Sequence, residues 1–202
     1  MNENKQVGMT VTREEETVIR QATEDLFNYA IDREEVKWLM ERLHQEAEIN
    51  RTAVEYELGV MKIVAIGWAI SFHLEGSSCK KNLLAGFWNR IFEFSNGLSE
   101  TAGTMTGTRI DYFQVLKERL DQYVNAIATS PEAKTANEPA AVIGPQFAAV
   151  CGNSQDIYTR MTGVRMFMTN VSRVGQYLKG AGFAQQGRTD ENDRGSGPEK
   201  WQ

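Results

Sequence analysis

Proline is scarce in this sequence: four prolines occur in 202 residues, and none precedes Pro131. Because proline interrupts helices more strongly than any other residue, the first 130 residues are free to be helical. No segment alternates apolar and polar residues long enough to indicate a strand. With 41% hydrophobic and 24% charged residues, the composition is that of a chain that folds. We therefore predict an all-α protein with a single domain.

Cysteine is scarce as well, and the chain has no obvious export signal. Cys79 and Cys151 lie 72 positions apart without a C-x-x-C pattern, which favours reduced thiols over a disulfide framework. Residues 1–10 contain no apolar run of the kind that a signal peptide needs. The most apolar stretch, residues 58–74, is interrupted by Lys62 and is shorter than the roughly 20 residues that span a bilayer. These absences predict a soluble cytoplasmic protein that is not embedded in a membrane.

Basic residues are too dispersed to suggest nucleic acid as a partner. The only adjacent basic pair is Lys80-Lys81, whereas a phosphate footprint needs clustered lysine and arginine. The net charge is −5, and the charged residues are unevenly distributed along the chain. Residues 13–57 hold 13 acidic and 6 basic side chains, whereas residues 155–180 hold four basic side chains and one acidic side chain. We expect these two segments to attract each other.

Apolar residues recur every three or four positions along most of the chain, which predicts six or seven helices packed as a bundle. Start signals of the capping-box type begin at Thr12, Asp32 and Thr52, and the last of these predicts a helix break near Asn50. Between residues 33 and 74 the pattern alone does not decide between one long helix and two. The helical domain is predicted to cover residues 12–182, with disordered ends at 1–11 and 183–202.

Two later segments contain helix breakers. Residues 97–109 are rich in glycine and threonine and show no coherent periodicity, so we predict a long loop there, which is a usual place for function. Residues 139–151 predict a short or kinked helix because Gly144-Pro145 interrupts them.

The regular helical pattern that begins near Gln155 carries apolar residues at alternating steps of four and three. We call five of them the C-terminal stripe: Ile157, Met161, Val164, Met168 and Val171. Such spacing favours a helix–helix contact, and Arg160 and Arg165 flank it. The stripe is a candidate interface with a second copy or another protein. Burial in the chain's own core is an equally good interpretation.

Catalytic and cofactor motifs are nearly absent. With two histidines, the chain is poorly supplied for nucleophilic triads, and it has neither a dinucleotide-binding glycine motif nor a Walker-type loop. Glu41-x-x-His44 has the spacing used in di-iron bundles, but a second such motif is missing. These features predict no cofactor and no catalytic or metal-binding residue, so an enzyme is the less favoured class.

Four aromatic residues provide the remaining hypothesis. Trp68, His73, Trp88 and Phe92 fall on two successive predicted helices and are candidates to line a pocket for an apolar or aromatic ligand. The same residues fit a plain core. Our leading hypothesis from the sequence is a non-enzymatic interaction or regulatory protein that forms homo-oligomers, followed by a small-molecule binding domain and then a di-iron-type metalloenzyme.

Overall fold

The protein is an α-helical bundle, which confirms the predicted fold class. The structure, a computed structural model, describes residues 13–43, 49–108, 110–129 and 139–183. The predicted disordered ends, residues 1–11 and 183–202, lie outside the described residues except for Phe183. Phe183 packs against the core. The described residues form seven helices: α1 Arg13–Ile31, α2 Glu34–Arg42, α3 Arg51–His73, α4 Lys80–Thr106, α5 Tyr112–Thr129, α6 Ala140–Val150 and α7 Ile157–Gly180.

Helix α3 is the central helix of the bundle. It contacts α1, α2, α4, α5 and α7. Val54, Leu58, Met61 and Ile66 are among its side chains with no exposed surface. A helix that is apolar on almost every face is expected at this position, because it has neighbours on every side. None of the described helices combines the length and the apolarity needed to cross a bilayer.

The break predicted near Asn50 is present: among the described residues, α2 ends at Arg42 and α3 begins at Arg51. Asn50 is the N-cap of α3, and its side-chain oxygen accepts a hydrogen bond from the Ala53 N–H at 3.0 Å. Thr52, the first residue of the predicted capping box, lies inside the helix. The sequence therefore located the break correctly but assigned the cap to the wrong side chain.

Asn50→Ala is expected to lower the free energy of unfolding by about 1 kcal/mol, because a backbone N–H at the start of α3 loses its acceptor. Thr52→Ala is the matched control and should cost less than about 0.5 kcal/mol, since alanine has the higher helix propensity. Urea unfolding followed by circular dichroism measures both values. Equal losses in the two variants would show that Asn50 is not the cap.

The long loop predicted at residues 97–109 is wrong, because α4 continues to Thr106. Buried Ser99 marks the helix face that the apolar pattern missed: it donates to the Ser95 carbonyl at 2.8 Å and accepts the Tyr112 N–H at 3.3 Å. Thr104 and Thr106 likewise donate to carbonyls one turn earlier. Helix α4 ends at Gly107, whose φ of 72° suits a residue without a side chain.

Candidate functional site

Helix α7 has two faces, and the C-terminal stripe lies mostly outside the core. Ile157, Met161 and Met168 are 56%, 63% and 40% exposed, while Val164 and Val171 are half-buried. The stripe is therefore not part of the core as a whole, and the interpretation that it serves only the chain's own packing is wrong for its outer residues. The buried residues of α7 are Thr159, Gly163, Met166, Phe167, Asn170, Val174, Gly175 and Leu178.

Glycines determine which face of α7 turns inward. A β-carbon on Gly163 would collide with the ring of Phe147 on α6, and one on Gly175 would lie 2.5 Å from the His73 ring. On α6, a β-carbon on Gly144 would lie 2.8 Å from Val164. Because these contacts hold α7 close to α3 and α6, the side that carries Ile157, Met161 and Met168 faces outward.

The attraction predicted between the acidic and basic segments is present in part. Arg173 on α7 forms an ion pair with Glu35 on α2 at 3.1 Å, and Tyr177 donates to Asp25 at 2.7 Å. The two arginines beside the C-terminal stripe behave differently. Arg160 donates to the Ser154 carbonyl, and Arg165 lies 4.3 Å above the Trp38 ring. Within the described residues, neither forms an ion pair.

The four aromatic residues predicted to line a pocket make separate contacts. Trp68 stacks on Phe72 with 4.8 Å between ring centroids and also contacts Phe167 of α7 at 5.4 Å. The His73 imidazole lies 3.1 Å from the Val171 carbonyl oxygen. Trp88 and Phe92 point in two further directions: the Trp88 ring covers Gly67, and the Phe92 ring, 46% exposed, packs edge-on against Phe113 at 5.0 Å.

A charged cleft lies where α7 meets α1, α2 and α3. Its volume is about 390 Å³, and the side chains around it include three acidic and three basic groups. None of the four aromatic residues proposed from the sequence lines it. The residues that do are Tyr29, Asp32, Glu34, Glu35, Trp38, Lys62, Arg165, Thr169 and Arg173.

Lys62 reaches the charged cleft from the apolar helix α3. Its side chain is fully buried; the ammonium donates to the Asp32 carbonyl at 2.8 Å and lies 4.3 Å from the Tyr29 ring centroid. Loss of hydration lowers the pKa of Lys62 from its ordinary value, although the negative charges of Asp32 and Glu35 oppose this shift. A signal for the site was present in the sequence, since Lys62 is the one charged residue in the middle of an apolar helix.

A second buried polar cluster joins α3, α5 and the end of α6. The Arg119 guanidinium binds both carboxylate oxygens of Glu57, at 2.9 to 3.1 Å, and Glu57 is 4% exposed. Tyr123 is buried beside them, and its hydroxyl finds no hydrogen-bond partner in the described part of the chain. Desolvation, followed by the Glu57 charge, raises the pKa of the Cys151 thiol from 9.0 to about 12 and that of Tyr123 still higher.

Above pH 9 the protein is expected to lose stability. The unfolded chain releases the Cys151 proton near pH 9, whereas the folded chain keeps it until about pH 12, so rising pH favours unfolding across that window. Urea unfolding at several pH values should show a shallower decline for Cys151→Ala than for the unmodified chain. The lowered pKa of Lys62 makes stability rise with pH, and it does so equally in both proteins. The difference between the two slopes of stability against pH therefore reports on the Cys151 thiol. Parallel declines would contradict the assignment.

The di-iron hypothesis gains no metal ligands from the part of the chain that the structure describes. His44 of the Glu41-x-x-His44 spacing lies outside the described residues, so the placement of that motif is not seen. Among residues 13–43, 49–108, 110–129 and 139–183, no group of three or more histidine, cysteine, aspartate or glutamate side chains is arranged to hold a metal ion. Comparison with protein-family models, curated proteins and solved structures gives no match, so a function for this chain has to be argued from its own side chains.

Proposed function

We propose that this protein is a non-enzymatic interaction protein that self-associates through the C-terminal stripe. The observation that carries the proposal is the exposure of Ile157, Met161 and Met168 along one side of α7. Single exposed apolar residues are common on protein surfaces, but a row at helical spacing is typical of a helix–helix contact. The side chains in this row suit burial against a second helix.

An antiparallel pairing of two α7 helices matches the stripe to itself. In one register, Met161 of one copy meets Val171 of the second copy, and Val164 meets Met168 of the second copy. The two-fold symmetry of such a pair repeats both contacts, which is the usual arrangement of a homodimer. From Ile157 to Val171 the stripe is about 21 Å long at 1.5 Å per residue, enough for two heptads.

Charge at the edge of the stripe fits the same pairing. Arg165 lies against Trp38 of α2, and Glu34 and Glu41 flank Trp38 on the helix surface, four positions before it and three after. Both glutamates are exposed. In an antiparallel pair, the edge that bears Arg165 faces the same edge of the second copy. Each Arg165 then approaches the acidic edge of the opposite α2, which favours association.

Sedimentation velocity of the full chain across a wide range of protein concentration tests the proposal. We expect the mass to rise from 22.8 kDa toward twice that value as the concentration increases. A mass of one chain at every concentration would overturn self-association. Growth beyond two chains would overturn the two-fold pairing, because a closed isologous contact stops at the dimer.

A further inference from the structure

The charged cleft has an uncompensated positive charge at its edge. Arg173 is paired with Glu35 at 3.1 Å, and the Lys62 ammonium lies 3.7 Å from a carboxylate oxygen of Asp32. Glu34 is engaged from outside by Lys37 at 2.7 Å. Arg165 alone among the basic side chains around the cleft has no carboxylate partner in the described residues. Each of the three carboxylates around the cleft therefore already has a basic partner, and the charge that remains unpaired is the positive charge of Arg165.

The floor of the cleft adds a second positive group with unused hydrogen-bonding capacity. An ammonium carries three N–H donors. For Lys62, one donor is used by the Asp32 carbonyl, and the distance of 3.7 Å to the Asp32 carboxylate is too long for a hydrogen bond. The ring of Tyr29 stabilises the charge without accepting a conventional hydrogen bond. Because the Lys62 side chain has no exposed surface, its ammonium acts on an anion in the cleft through its charge and not through a direct hydrogen bond.

Arg165 is held in place by the Trp38 ring. Its guanidinium lies 4.3 Å from the ring centroid, while that of Arg42 lies 3.8 Å from the same ring. Stacking on an aromatic face fixes the plane of a guanidinium and leaves its edge donors available, and this edge matches a carboxylate or phosphate group. Less rotamer entropy then remains to be lost when an anion binds.

We propose that the charged cleft binds a small organic anion through a carboxylate or phosphate group that contacts Arg165, with the charge of the buried Lys62 ammonium adding attraction from the floor of the cleft. The volume of about 390 Å³ is in the range that accommodates a small metabolite. All the residues around this site belong to one chain, although Arg165 also lies at the edge of the proposed contact between two copies, so the two proposals share that side chain.

Titration followed by the indole N–H resonances of the tryptophans tests the site, with the Trp38 resonance assigned through Trp38→Phe. Sodium phosphate and sodium acetate are added at constant ionic strength against sodium chloride. We expect a saturable shift of the Trp38 resonance with at least one of the two anions. The anion that produces it identifies phosphate or carboxylate as the recognised group. No saturable shift with either anion would overturn the proposal.

Two arginines on one ring provide a matched pair of variants. Arg165→Gln removes the guanidinium that lines the cleft and is expected to weaken anion binding about tenfold or more. Arg42→Gln removes the other guanidinium from the Trp38 ring, lies outside the cleft lining and should change the affinity less than about twofold. Equal weakening in both variants would overturn the assignment to Arg165.

Repeating the titration on Met161→Asn, which removes the apolar side chain without placing a carboxylate one helical turn from Arg165, separates this site from the proposed self-association. Unchanged affinity in that variant supports a site within one chain. Loss of binding would overturn it, because Met161 is not among the residues around the cleft.

Discussion

Met161→Asp is expected to weaken self-association by about a hundredfold or more. Met161 is 63% exposed in the single chain, so the variant should fold normally, with an unchanged circular dichroism spectrum. In the proposed dimer the same position lies between two apolar helices, where a carboxylate loses most of its hydration and Arg165, one helical turn away at the edge of the contact, compensates only part of that loss. A penalty near 3 kcal/mol corresponds to roughly two orders of magnitude in the dissociation constant. Sedimentation velocity measures this constant for both proteins.

Met105 offers a control of the same chemistry at another place on the surface. It lies near the end of α4, away from α7, and is 81% exposed. Met105→Asp adds the same charge to the chain and should leave the dissociation constant within about twofold, since a distant surface charge is largely screened. If both aspartate variants dissociate equally, net charge rather than the C-terminal stripe governs association. If neither dissociates, the contact lies elsewhere.

The sequence predicted the C-terminal stripe as a helix face but not which way that face points. Residues that bring α7 against its neighbours include Gly163 and Asn170, a glycine and an amide that an apolar count leaves out. Close approach selects small residues, and Asn170 is buried because its amide donates to Glu35 and to the Met166 carbonyl. Periodicity detects large apolar side chains. It therefore overlooks contacts made by small or hydrogen-bonded ones.

The same limitation explains the wrong loop between residues 97 and 109. Helix α4 enters that segment on a face where Ser95 and Ser99 are buried, and the Ser99 hydroxyl donates to the Ser95 carbonyl one turn earlier. By contrast, Leu83, Phe87 and Ile91, which recur at helical spacing earlier in α4, have no exposed surface, although Phe92 in the same run is 46% exposed. Where a helix packs through leucine and phenylalanine, the prediction held. Where it packs through serine, the low helix propensity of glycine and threonine misled the prediction.

Prediction of the charged cleft would have required long-range information. Asp32, Lys62 and Arg165 come from three distant parts of the sequence and meet only when α7 docks beside α2 and α3. The charge asymmetry between the two halves pointed to their attraction, which the Arg173–Glu35 pair bears out. It did not indicate that one arginine would be left over. That surplus follows from the geometry of the docked helices.

Arg119→Met is expected to lower the free energy of unfolding by about 3 to 5 kcal/mol, the largest stability loss that we predict for a single substitution. The substitution keeps most of the aliphatic stem but leaves the Glu57 carboxylate without its partner. Because the Glu57 side chain is only 5% exposed, water cannot replace the lost hydrogen bonds well. Urea unfolding at neutral pH gives the value.

Arg90→Met provides the matched control, since Arg90 also forms an ion pair between helices, with Glu24 at 3.0 Å. Both side chains of that pair are about two-fifths exposed, and exposed pairs contribute at most about 1 kcal/mol. Adding Glu57→Met to Arg119→Met should restore much of the lost stability, because the double variant buries no unpaired charge. Equal losses from Arg119→Met and Arg90→Met would mean that solvent reaches Glu57. Failure of the double variant to recover would instead show that the Glu57–Arg119 pair contributes net stability to the bundle, in contrast to most buried ion pairs.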